Sequence, residues 1–244
     1  MRRRGGDKLF QKKKELELED VKRKEAIREQ VPSIIIACED SVSAPTYFQT
    51  LVEKLISEKK ITQCSLVLVE HNHTDPCGVL DDLIVYEENG TKYTDFKHRW
   101  IVIDRDSARV NGGGHSPENF NNALSKAKSS EVDVAYSNDA FELWYLLHFD
   151  YRETAISRDE LLKQVIAKLK HCDQFKFAKL DCNNVKQENY TKHIFEELYI
   201  LQDTAINNAK KLMAFHGENH NPESDNPSTT IHKLVEVLRG FQKK

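Results

Sequence analysis

The run Trp100-Ile101-Val102-Ile103-Asp104-Arg105-Asp106-Ser107 is apolar and largely β-branched until it stops in an Asp-x-Asp. Bulky residues with no charge among them predict a strand buried on both faces of an α/β sheet. Its acids then stand at the carboxyl end, where open α/β sheets place their ligands. Residues two apart in extended chain project to the same side, so Asp104 and Asp106 are expected to converge. Carboxylates held together repel and require a cation or a shared proton. Hard oxygen donors of this kind suit Mg²⁺ or Mn²⁺.

A second run, Ser33-Ile34-Ile35-Ile36-Ala37-Cys38, follows Pro32 and ends in Glu39-Asp40 before a helical stretch. If the two strands are parallel neighbours, Glu39 joins Asp104 and Asp106 at one sheet edge as a three-carboxylate metal site. Acids also cap helices at such junctions, and for any one of the three that reading is the commoner. For Glu39 together with the Asp-x-Asp, the metal site is favoured.

The 244 residues suffice for one large α/β domain, or for one such domain with a helical appendage. Mean hydropathy is -0.63 and 31% of residues are charged, yet the apolar residues fall into clear blocks, which points to a soluble globular protein. No apolar stretch approaches the ~20 residues of a membrane span, and no signal-peptide core follows the basic start, so a cytoplasmic protein without a membrane partner is expected. The cysteines Cys38, Cys64, Cys77, Cys172 and Cys182 are odd in number and unpaired in spacing, which suits reduced thiols. A net charge of -3 offers no global attraction for nucleic acid, so any such contact needs a local patch.

Residues 1–31 form a basic arm, with Arg2-Arg3-Arg4 and Lys12-Lys13-Lys14 interleaved with acids and almost no apolar stripe. Residues 32–150 read as the α/β core and residues 151–244 as a helical region packed on it. Within the core, helical spacing runs through Tyr47, Phe48, Leu51, Val52 and Leu55, with Ser43 as the expected N-cap. Ile61 to Glu70 is expected to be a strand, Pro76 to Glu88 a helix ended by Asn89-Gly90, and Val132 to Asn138 a fourth strand. Beyond it, Ser157 opens a helix with a capping box, Tyr190 to Phe215 reads as one long helix, and Asn226 to Thr230 caps a last one.

Several loop clusters compete for chemistry. His71-x-His73 with Asp75 has no further His at a partner spacing, so loop polarity with Thr74 or Asp75 as a helix cap is the better reading. His171-Cys172 with Cys182 lacks a second ligand pair. Gly112-Gly113-Gly114 lies just past the acids as a flexible loop able to close over a substrate, without the lysine or spacing of a phosphate cradle.

Ser137-Asn138-Asp139-Ala140-Phe141-Glu142-Leu143-Trp144-Tyr145-Leu146-Leu147-His148-Phe149 predicts a helix apolar nearly all round. Glu142 in such company requires a cation or donors, which ranks it above His148 as a site residue. Here the residues carry a resemblance. Ile34 to Glu39, Ile103-Asp104-Arg105-Asp106, the Ser137-Asn138-x-x-Phe141-Glu142-Leu143-Trp144 block and Asn226-Pro227-Ser228-Thr229-Thr230 resemble the bacterial RloB-like family over roughly residues 32 to 240. That family accompanies restriction and phage-defence loci. A Glu after a first strand with a later Asp-x-Asp is also similar to the Toprim domain of topoisomerases, primases and OLD-type nucleases.

The resemblance implies a Toprim-like, mostly parallel sheet flanked by helices, and metal-dependent phosphoryl transfer. Glu39, Asp104 and Asp106 would be the acidic, Mg²⁺- or Mn²⁺-holding set, with Glu142 as a further catalytic residue. Arg105, Arg109 and Asn138 would contact the substrate. A nucleic acid is the implied partner, RNA (tRNA included) being favoured over DNA, with a regulatory protein or self-association as restraint. Asp40 stands where the Toprim pattern has glycine. Two rival readings stay open: a non-catalytic nucleic-acid or partner-binding module, and a nucleotide phosphoryl-transfer enzyme.

Overall fold

Strands β1 (Ser33–Cys38) and β5 (His98–Asp104) lie side by side and parallel, with Ile36 opposite Trp100 and Cys38 opposite Val102. The computed structural model describes residues 33–61, 64–109 and 112–240, together with Lys14. The rest of the basic arm lies outside the described residues. β1 also pairs with β2 (Ser65–Leu68), and β5 with β6 (Asp133–Asn138), both parallel. β7 (Ser228–Thr229) closes the sheet antiparallel to β6, giving the order β2-β1-β5-β6-β7. This is a mixed α/β fold with a mostly parallel central sheet.

The central strands are buried at nearly every position, and successive side chains enter opposite faces, as a pleat with both faces covered requires. Ile34, Ile36, Trp100 and Val102 enter one apolar cluster, while Ile35, Ala37, Ile101 and Ile103 enter the other. The smaller face is covered by α2 (Pro76–Ile84) and α3 (Pro117–Ser129) through Val79, Leu80, Leu83, Phe120 and Ala123. The larger face carries α1 (Ser43–Ser57) and the helices that follow β6: α4 (Glu142–Phe149), α5 (Arg158–Cys172), α6 (Glu188–Tyr199), α7 (Gln202–His216) and α8 (Ile231–Gly240). Its cluster runs from Ile34 to Leu238, so the C-terminal helices share one core with the sheet. Trp144 and Phe141 are fully enclosed there, edge-on to Tyr47. Truncating Trp144 to Ala would cost about 3–5 kcal/mol.

Four local expectations change. The helix from Pro76 ends at Ile84, because Asn89 and Gly90 take φ of +51° and +78° and turn a short hairpin, β3 (Glu87–Glu88) with β4 (Thr91–Lys92). The expected helix from Tyr190 to Phe215 is two: it breaks at Ile200–Leu201, so that α6 packs on α1 and α7 on α4. Ser228 and Thr229 are a strand rather than a cap alone, since Ser137 and Asn138 at the sheet edge offer them a partner. Asp40, not Ser43, caps α1, accepting from Val42 N at 2.9 Å and Ala44 N at 3.1 Å. Among the described residues no helix is long and apolar enough to cross a membrane.

Candidate metal centre at the carboxyl edge of the sheet

The parallel pairing of β1 and β5 puts Glu39 and Asp104 at the same edge, Glu39 N donating to Val102 O at 2.9 Å. One Glu39 oxygen accepts from Asp104 N at 2.9 Å, and the other meets His115 Nε2 at 2.8 Å. The extended run ends at Asp104. Arg105 N donates to Ser137 O and Asp106 N to Asp139 O, and Asp106 takes φ +34°, so the chain turns between the acids. The Asp106 carboxylate therefore meets Arg158 Nη1 at 2.8 Å and Arg109 Nη2 at 3.1 Å. Glu39, Asp104 and Asp106 share one cleft, but among the described residues they do not bring one oxygen each within 4.8 Å of the others.

That cleft has a volume of about 450 Å³ and is also lined by Asp40, Asp75, Gly114, His115 and Arg158. Asp104 is its most burdened acid. Burial raises its pKa well above the ordinary carboxylate value, and Glu39 and Glu142 add to the rise against Lys186 and Arg158. Burial likewise raises Glu39, with hydrogen bonds from His115 and Asp104 N in opposition. His115 is raised by its bond to Glu39, so the two groups hold a proton between Nε2 and the carboxylate.

Glu142 begins α4 and is buried, with Lys186 Nζ 3.0 Å from Oε1. The pair is close but off the line of a hydrogen bond, so both Glu142 oxygens lack a hydrogen-bond donor. Burial alone would lower the Lys186 pKa; Glu142, Asp104 and Asp40 outweigh it and leave the ammonium raised. His148 is a neutral core histidine, pushed down to about 3 by burial and bonded through Nδ1 to Trp144 O.

The remaining candidates are placed differently. Arg109 reaches the acids through Asp106, whereas Arg105 is buried and turned away, its guanidinium gripping Glu223 Oε1 at 2.6 and 3.1 Å and His115 O at 2.9 Å. Asn138 donates to Pro222 O and Glu223 O at 3.1 and 3.0 Å. Both residues hold the segment between α7 and β7. The glycine loop, expected to be flexible, is tied at its base where His115 N donates to Asp106 O at 2.7 Å and Arg109 N to Gly113 O at 3.2 Å. His71, His73 and Asp75 have separate partners: Cys38 O, Asp82 and the α2 N-terminus.

A family model described as RloB-like protein matches residues 34–238. The chain belongs to the RloB-like family. The matched span takes in every carboxylate of the cleft and the Lys186, Arg158 and His115 side chains around it. No curated protein and no solved structure matched this RloB-like chain.

Sequence reading missed Lys186, Arg158 and His115 as members of the site. The one available signal was the buried Glu142, which demanded a cation without saying which.

Proposed function

We propose that this RloB-like chain is a metal-dependent nuclease of the Toprim type, cleaving phosphodiester bonds in the cytoplasm during defence against phage. The observation that carries the reading is Asp104, a buried carboxylate at the carboxyl edge of the sheet with Glu39 and Glu142 as like-charged neighbours. Such a group is relieved by a hard divalent cation. The donors fit one: all are carboxylate oxygens, those of Glu142 lack a hydrogen-bond donor, and the cleft is open to substrate. Mg²⁺ or Mn²⁺ would be held by Asp104 with Glu39 or Glu142, Asp106 joining when its arginines release it. Mg²⁺ commonly takes one or two carboxylates and keeps several waters, so a tight triple of oxygens is not required.

When bound, the ion supplies charge neutralisation at the phosphate and a more acidic water. The chain's own groups do the rest. Glu39 and His115 carry a proton at Nε2 beside the cleft, a donor and acceptor pair for the attacking and leaving oxygens. Arg158 and Arg109 bring positive charge to the side of the cleft where a phosphate would enter. RNA, tRNA included, is favoured over duplex DNA because no evident duplex-reading element occurs among the described residues. A partner protein or self-association would restrain the activity.

The test is cleavage of total cellular RNA and of single- and double-stranded DNA in Mg²⁺, Mn²⁺ or EDTA, comparing wild type with Asp104→Ala. Discrete products that vanish with EDTA and in the variant are the expected result. Wild type and variant both inert in every metal would instead favour a binding module, and turnover of free nucleotides alone a nucleotide phosphoryl-transfer enzyme.

A further inference from the structure

Away from the cleft, the segment joining α7 to β7 gathers His216, His220 and Asp225, whose ligand atoms lie within 4.8 Å of one another. We infer that these three residues form a binding site for a transition-metal ion, Zn²⁺ by its donor set, which pins this segment against the sheet. Both rings turn Nδ1 toward the same carboxylate oxygen, Asp225 Oδ2: His220 at 2.7 Å and His216 at 3.5 Å. These separations bracket the edge of a tetrahedron around Zn²⁺, about 3.3 Å for donors 2.0–2.1 Å from the metal.

The outer faces of the rings are already engaged. His216 Nε2 bonds to Pro227 O at 2.8 Å, and a carbonyl only accepts, so the hydrogen of a neutral ring is on Nε2 and the Nδ1 lone pair faces Asp225. His220 Nε2 bonds to the Tyr136 hydroxyl. A ring held through one nitrogen by a carbonyl or hydroxyl, with the other nitrogen aimed inward, is the usual arrangement of a metal-bound histidine. Without a cation, the His216 lone pair and a carboxylate lone pair confront each other. Protonating His216 leaves the two rings sharing one carboxylate oxygen, which Asn221 N also occupies at 2.8 Å. Among the described residues Asp225 has no lysine or arginine ion pair.

The site is mostly enclosed, with side-chain exposures of 11%, 15% and 26% for His216, His220 and Asp225. Gly217 at φ +69° ends α7 and lets the chain double back, bringing His220 and Asp225 over His216. Three protein ligands leave a fourth position for water. The consequence extends to the cleft, because the pinned segment carries Glu223, the partner of Arg105 between the two acids. The ion is thus a positioning element, and its binding stands independently of any cleavage activity.

The experiment is titration of metal-stripped full-length wild type with Zn²⁺ and with Co²⁺ in a large excess of Mg²⁺, which keeps the carboxylate cleft occupied. Expected are one equivalent bound at about micromolar affinity or tighter, visible Co²⁺ absorption of tetrahedral intensity, and a Tm rise of several degrees. His220→Gln and Asp225→Asn should each weaken binding by about 10–100-fold or more, while Asp104→Asn, in the cleft, binds Zn²⁺ as wild type does. On ¹⁵N-histidine-labelled wild type, Zn²⁺ should shift the Nδ1 resonances of two histidines, a readout independent of whether a variant folds. No stoichiometric uptake by wild type would overturn the inference, as would uptake unchanged in folded His220→Gln and Asp225→Asn, which would assign the metal to other ligands.

Discussion

Lys186 Nζ stands 3.0 Å from Glu142 Oε1, and through that contact the segment between α5 and α6 reaches a buried carboxylate at the sheet edge. Glu142 is 1% exposed and Lys186 34%, so the acid bears most of the desolvation. Lys186→Met leaves Glu142 buried without its cation, which should destabilise the protein by about 2–3 kcal/mol. That is below the cost for a fully enclosed pair because water reaches the lysine. Combining it with Glu142→Gln should recover most of the loss. Urea denaturation of the single and double variants checks this; a Lys186→Met protein as stable as wild type would show that the pair contributes nothing.

Stability without divalent cations should fall as pH rises. Asp104 and Glu39 have folded pKa values above their unfolded ones, so the native state binds more protons, and each contributes stability at low pH that is lost as pH rises through the folded value. His115, raised from 6.5, acts with the same sign: its contribution is full below the unfolded value and disappears above the folded one. In EDTA at about pH 8, Asp104→Asn should therefore be more stable than wild type, with a flatter pH profile. Mg²⁺ should raise the wild-type Tm at that pH and leave the variant's unchanged. A wild-type Tm that climbs between pH 6 and 8 in EDTA would contradict the assignment.

Glu39, Asp104 and Glu142 were legible because each interrupts an apolar run, and a charge at the end of a buried strand or inside a buried helix declares itself locally. Their cations were not. Lys186 follows Val185 in a polar stretch and Arg158 sits beside a helix cap, both of which read as solvated charges until tertiary packing carries them across to the acids. The turn at Asp106 was hidden for a related reason. It is imposed by Ser137 O, near the end of the neighbouring strand β6, and by Asp139 O just beyond it, while the local pattern continues as if extended. Likewise no glycine or proline marks the break at Ile200, where the apolar spacing persists but the packing partner changes.

The glycines past the acids should differ sharply in tolerance. A Cβ at Gly114 would lie 2.5 Å from the carbonyl oxygens of Asp106 and Ser107, with φ at +82°. At Gly112 a Cβ meets nothing within 4 Å, although φ is +88°. Gly112→Ala should cost about 1–2 kcal/mol of backbone strain alone. Gly114→Ala should cost about 2–4 kcal/mol and lower cleavage as well, because the backbone that must give way carries Asp106. Thermal unfolding together with the RNA assay separates the two; equal losses at both positions would mean that the loop base is looser than its hydrogen bonds imply.

Arg105 and Glu223 decide whether the arginine between the acids binds substrate or fastens the segment that covers it. The guanidinium is buried and forked onto Glu223, so in the resting protein it cannot reach a phosphate without abandoning that pair. Arg105→Met should destabilise by about 3 kcal/mol, and Arg105→Lys should rescue little, since a lysine lacks the fork. Glu223→Gln discriminates between the roles. If Arg105 fastens the segment, removing the Glu223 charge reproduces the stability loss of Arg105→Met and lowers cleavage with it. If Arg105 instead contacts the scissile phosphate, freeing it from Glu223 leaves cleavage intact or raises it, and only Arg105→Met is inactive. Measuring stability and cleavage on both variants distinguishes these outcomes, and the buried fork predicts the first.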